Sequence, residues 1–295
     1  MRLKKQYKGI FYIVISAFCF ALMSMFVHLS GDLPSTQKSF FRNLVAAMFA
    51  GGILWKGQVP LRCKKENFLY LLLRSVFGTI GILCNFYAVD HLVLADASML
   101  NKMSPFFAVV FSYIILKESV TWKQALIVVG AFLGSLFVIK PTVSNMELIP
   151  SLIGLLGGIG AGAAYTMVRK LGELGEKGPF IVFFFSSFSC LVTLPYLIFD
   201  YHPMTLVQIG MLLLAGLSAA GGQFSITAAY CYAPAKEISV YDYSQIIFSS
   251  LLGFLVFGQV PDAWSWLGYG IILVMAVLMF LYNKRKSEKV ILKED

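Results

Sequence analysis

Apolar runs of about 20 residues, each closed by Gly, Pro or charge, follow one another along almost the whole chain, at 9–30, 36–55, 67–89, 93–116, 122–140, 149–169, 178–199, 205–230, 237–258 and 263–282. A helix rises about 1.5 Å per residue, so each run matches a hydrocarbon layer of about 30 Å. The pattern predicts an all-α integral membrane protein of ten transmembrane helices. Inside the fourth run polar positions recur at Ser98, Asn101, Lys102 and Pro105, and inside the ninth at Tyr241, Asp242, Gln245 and Ser249. A spacing of three and four collects them on one helical face, which predicts two helices turned towards a wet interior. Pro105 leaves a carbonyl unpaired and predicts a kink beside Lys102.

Composition agrees with a lipid environment: the 295 residues are 58% hydrophobic and 13% charged, against about 25% charged in an ordinary soluble domain. The first run has a basic start but continues without a small-residue cleavage site, so it reads as a retained span rather than a removed leader. Five cysteines with no close spacing predict neither a disulfide framework nor a metal site. The net charge of +9 would suit nucleic acid, but the cations lie in short loops between apolar runs. There they set orientation, because Lys and Arg collect on the cytoplasmic side. Assigning loops alternately puts nineteen Lys and Arg on the side of the N-terminus and only Lys38 and Lys140 on the other. Both termini are therefore expected in the cytoplasm, in the inner cell membrane, with a short solvated tail.

The two halves match at an offset of 141: Leu71–Leu73 fall on Leu212–Leu214, Gly81 on Gly222, Ala88 on Ala229, Ser98 on Ser239 and Glu118 on Gln259. Five spans per copy force the second copy to insert upside down. Such inverted repeats place a solute site near mid-bilayer at the repeat interface. The expected units are 1–141, 142–284 and a tail at 285–295.

Four stretches, "FFRNLVAAM" at 40–48, "LLRSVFGTIGILCNFYAV" at 72–89, "LADASMLNKMSPFFAVVFSYIILKESVTWKQ" at 94–124 and "YDYSQIIFSSLLGFLVFGQVPD" at 241–262, resemble the EamA family of the drug/metabolite transporter superfamily. The resemblance runs over nearly the whole chain and implies a 5+5 inverted fold whose cavity is lined mainly by helices 1, 3, 4, 6, 8 and 9. It does not choose a substrate. The family often has an acid just past the fourth and ninth spans; here Glu118 keeps it and Gln259 replaces it. Glu118 is expected at a helix end, near Lys117 or Lys123.

Ionisable groups at membrane depth are costly and face a cavity or a partner; here they are Arg42, Arg74, Lys102 and Asp242. Asp242 corresponds to Asn101 by the offset, and Lys102 is Asn101's neighbour, so Asp242 and Lys102 can meet across the repeat interface. Two readings stand. The pair binds the charged ends of a zwitterionic or amine-bearing solute, with Asp242 able to take a coupling proton, or it is a buried ion pair that locks the halves together. Arg74 shares a face with Gly78, Gly81 and Asn85 but is expected to snorkel towards the cytoplasm, and Arg42 to sit near the outer third of its span. Gly78, Gly81 and the run "GLLGGIGAGAAY" in the sixth span read as packing surfaces. The candidate solute-binding set is Lys102, Asp242, Asn101, Ser98, Tyr241, Gln245, Asn85, Tyr87, Tyr165 and Gln223.

An intramembrane enzyme is disfavoured, because His28, His91 and His202 lie at outer helix ends and no embedded His/Asp/Glu cluster exists in the sequence pattern. No metal or cofactor is expected. The expected function is alternating-access transport of a small organic metabolite such as an amino acid, or an amino-acid-derived or vitamin-like solute, by a monomer or homodimer whose partners are the solute and lipid, not nucleic acid. The alternative is broad drug or cation efflux coupled through Asp242, which the absence of an acid in the first span disfavours.

Overall fold

Within lipid every backbone N–H and C=O must be bonded inside the segment or to protein, which leaves the helix as the form an apolar run can take. The computed structural model, which describes residues 2–58, 63–116, 121–139, 147–232 and 241–294, is helical over those runs. Helices one to three are Arg2–Leu29, Ser35–Lys56 and Lys65–His91; helix four comes in two pieces, Leu94–Asn101 and Ser104–Leu116; helix five is Trp122–Ile139. Helices six to ten are Leu148–Glu173, Gly178–Phe199, Leu206–Tyr232, Ser244–Phe257 and Ala263–Glu294. With the pieces of helix four taken together, 7 helices among the described residues are long and apolar enough to cross a membrane. Helix two misses that measure because its first turns carry Gln37, Lys38, Arg42 and Asn43, while the apolar stretches of helices five and nine are short, at Trp122–Gly134 and Ser244–Phe257.

Helix one packs chiefly on helix eight, three on six, two on seven and five on ten, while four packs chiefly on six and nine on one, with four and nine also in contact. Adding five to each number returns the same set of pairs, as two copies related by a two-fold axis require. The main core gathers Ile13, Phe20, Phe86, Met99, Leu100 and Phe106, and a smaller one joins Leu54, Leu71, Leu171, Phe180 and Ile181.

Two features depart from the sequence pattern. Helix four is broken at Lys102–Met103, one turn before Pro105, rather than bent. Proline offers no N–H and its ring excludes the carbonyl four residues earlier, that of Asn101. The chain tightens there, with the Met103 amide donating to the Leu100 carbonyl at 3.1 Å. Helix nine repeats the device: Tyr241–Asp242 is helical, Tyr243 is a turn, and the helix resumes at Ser244. The charged tail, expected as solvated chain, continues helix ten to Glu294.

Glycines of helix six make the break possible. A Cβ at Gly158 would lie 2.5 Å from the Leu100 carbonyl oxygen, and one at Gly162 would lie 2.7 Å from that of Ser104. Gly160 likewise sits against the Phe77 carbonyl and Gly81, so helix three approaches along the same strip.

The helix ends on the side away from the N-terminus are tied by polar contacts. Lys38, 0% exposed, donates to Asp90 at 2.6 Å, and Gln37 exchanges two hydrogen bonds with the backbone of His202. At the opposite end Asn67 donates to Glu176 at 2.6 Å. Glu118, Lys117 and Lys140 lie outside the described residues.

Candidate functional site

Where the two halves meet, helices one, two, three, four, six, seven, eight and nine leave a cavity with about 50 Å³ open to water centres, room for a few waters. Its wall is polar where Arg42, Arg74, Asn85, Asn101, Tyr165, Gln223 and Gln245 project, and apolar at Phe20, Met23, Ile82 and Phe185. Three pairs of lining residues are separated by the repeat offset of 141: Phe20 with Ala161, Met23 with Ala164, and Ile82 with Gln223. The cavity therefore lies on the pseudo-two-fold axis.

Of the ten candidate residues, Asn85, Asn101, Tyr165, Gln223 and Gln245 line this cavity. The others lie elsewhere. Lys102 and Asp242 form an ion pair at 2.7 Å, with side chains 2% and 1% exposed, joining the breaks of helices four and nine behind the wall. Ser98 donates to Ser249 at 2.8 Å, a second bond between the same two helices. Tyr87 stacks on His91 with ring centroids 4.1 Å apart at the C-terminal end of helix three, and Tyr241 packs edge-on against Phe280.

Arg42 and Arg74 are the main correction. Neither snorkels: they are 1% and 3% exposed and both line the cavity. Helix geometry gives the reason, since Arg74 lies nine residues past Lys65, about 14 Å along the axis, too deep to reach water at that end. Its guanidinium folds back over the Phe185 ring, with Cζ 3.9 Å from the centroid, and its Nη2 donates to Gln223 Oε1 at 3.1 Å across the repeat interface. Gly78 makes room, because a Cβ there would collide with Arg74 Nη1 and come within 2.8 Å of Phe185. Arg42 stands 6.0 Å from the same ring and donates to Asn43 at 2.5 Å, while Asn43 is held by Ser39 and Ser189. The Nε of each arginine has no hydrogen-bond partner. Among the described residues no carboxylate is within ion-pair distance of either.

The signal for Arg74 was present in its shared face with Gly78, Gly81 and Asn85. No comparable signal marked Phe185 among 26 phenylalanines. Gln259 was read only as a missing acid, yet its Oε1 accepts from the Leu94 amide at 3.0 Å. It thus satisfies one of the open donors at the start of helix four.

The model of the EamA-like transporter family matches residues 7–140 and again 148–281, two stretches whose starts are 141 apart. The chain belongs to the EamA-like transporter family. Relatives of this EamA protein include the pseudopaline exporter CntI of Pseudomonas aeruginosa, 31% identical over 94% of this chain and 97% of that one. The riboflavin transporter of Vibrio cholerae is 25% identical over 96% of both chains, and the human solute carrier family 35 member G1 is 28% identical over 87% of this chain and 74% of that one. A crystal structure at 15% identity superposes with a TM-score of 0.66 over 97% of this chain and 99% of its own, which shows the fold. The EamA protein is thus a multi-pass membrane transporter of small solutes and not an enzyme.

Proposed function

We propose that this transporter moves a small organic metabolite by alternating access, as a secondary transporter, through the cavity between its two halves. The observation that carries the reading is a polar cavity walled by equivalent positions of the two repeats, where inverted-repeat transporters hold their solutes. Residues 1–141 and 142–284 are the two moving units. Asn85, Asn101, Tyr165, Gln223 and Gln245 are the side chains that touch the solute, and relatives named for pseudopaline and riboflavin favour an organic metabolite as cargo. The excess of cations in alternate loops supports the inner membrane with both termini cytoplasmic.

Drug or cation efflux through Asp242 loses ground, because that carboxylate is engaged by Lys102 and does not line the cavity. The same geometry favours the locking role of the pair over direct ligation.

Alternating access is tested without knowing the solute. A Gln245→Cys variant in a background lacking the native cysteines is expected to react with a membrane-impermeant maleimide from either side of oriented vesicles. Reaction from one side only, under every condition of solute and gradient, would rule the cycle out.

A further inference from the structure

The cavity holds two cations that no carboxylate among the described residues neutralises. A buried ionic group is stable when it is paired and its hydrogen-bonding capacity is used. Lys102 has its counter-charge in Asp242, 2.7 Å away. Arg42 and Arg74 do not: they line one cavity, have no carboxylate partner among the described residues, and present Nε donors with no acceptor. Each guanidinium has five N–H donors in a planar fork, of which one hydrogen bond apiece is accounted for, to Asn43 and to Gln223. Phe185 lies against both, its ring face stabilising positive charge and its bulk excluding water.

Building on the transport reading above, we propose that Arg42 and Arg74 are the anion-recognition pole of the cavity and that the solute is a carboxylate-bearing organic acid of net negative charge. A carboxylate supplies what the site lacks, planar oxygens that accept two parallel N–H bonds and a charge that cancels the guanidinium. The remainder of the wall, with Asn85, Asn101 and Gln245, is neutral and can bind hydroxyl or amide groups of the acid. An ammonium group finds no acid there, since Asp242 is behind the wall in its ion pair. The site therefore favours acids over free amines and cations.

The test is thermal unfolding of the purified full-length protein in detergent, at ionic strength held constant with chloride. The probes are succinate, citrate and N-acetyl-L-glutamate, against L-glutamine, L-lysine and tetraethylammonium. At least one acid is expected to raise Tm, with apparent affinity at least about 10-fold weaker in Arg42→Gln and Arg74→Gln. Arg74→Lys, which keeps the charge and loses the fork, should fall between, and Lys170→Gln at the surface should match the parent. The proposal is overturned if no acid shifts the folded parent, or if the shift survives both Gln substitutions. A glutamine, lysine or tetraethylammonium shift that also blocks labelling at Gln245→Cys, with acids inert, overturns the acid class and leaves the transport reading intact. Acids that bind through the arginines yet never enter proteoliposomes would support the anion site and count against transport.

Discussion

Lys102 with Asp242, and Arg42 with Arg74, are two pairs of charged side chains shut away from water to nearly the same degree, and the fold treats them in opposite ways. The first joins cation to anion at the breaks of helices four and nine, with Ser98 and Ser249 bonded nearby. The second sets cation beside cation against one aromatic ring and opens both to a cavity. The compensated pair bridges helices four and nine, whereas the other lines the cavity with no carboxylate partner among the described residues. Depth alone does not separate the two; the partner does.

Breaking the compensated pair should give the largest effect. Asp242→Asn strands a buried ammonium and is expected to cost about 3–5 kcal/mol, read as a lower Tm, while Lys102→Leu with Asp242→Leu recovers most of it. Exchanging the charges, Lys102→Asp with Asp242→Lys, should preserve solute binding and transport; a folded exchange variant that lost binding would return the pair to the solute site. Next comes the seam that supports the break in helix four. Gly158→Ala drives a methyl into the Leu100 carbonyl and is expected to cost about 1–3 kcal/mol. Gly210→Ala, with nothing within 4 Å of its new Cβ, should leave Tm unchanged or raise it slightly.

Relief of the uncompensated pair should have the opposite sign on stability. Arg74→Gln removes a desolvated cation, so Tm is expected to hold or rise while transport falls by about 10- to 100-fold, the loss that goes with a charged hydrogen bond. Gly78→Ala should reduce transport more mildly but, unlike Arg74→Gln, lower Tm as well, because its methyl occupies space used by Arg74 and Phe185. A fall in Tm for Arg74→Gln equal to that of Asp242→Asn would erase the distinction between the pairs. A modest loss belongs to Gln259→Ala, which opens the first turn of helix four at a cost of about 0.5–2 kcal/mol in thermal unfolding, with solute affinity unchanged.

How much of this was legible follows from what each feature depends on. The spans were readable because twenty apolar residues in a row have few alternatives, and Pro105 announced trouble in helix four. The meeting of Lys102 with Asp242 was readable because the repeat offset makes their helices symmetry mates. Which side of a helix faces the cavity was less so. Arg74 near a cytoplasmic end and Arg74 inside a cavity have the same neighbours in sequence, and only the packing of Phe185 from helix seven distinguishes them. Tyr87 and Tyr241 failed for the same reason, since an aromatic that stacks on His91 or Phe280 looks no different in the sequence from one that greets a solute. Gln259 reaches Leu94 across 165 positions of chain, a distance over which local pattern carries nothing.

Guanidinium groups stay protonated throughout the physiological pH range, so the electrical character of the central chamber is set by the polypeptide and not by acidity. Across an energised bilayer each elementary charge feels about 2.3 kcal/mol per 100 mV of the field it traverses. A vacant chamber reorienting between faces would carry Arg42 and Arg74 through part of that field, whereas an occupied one would travel nearly neutral. Voltage would then act on the return stroke more than on the delivery of cargo.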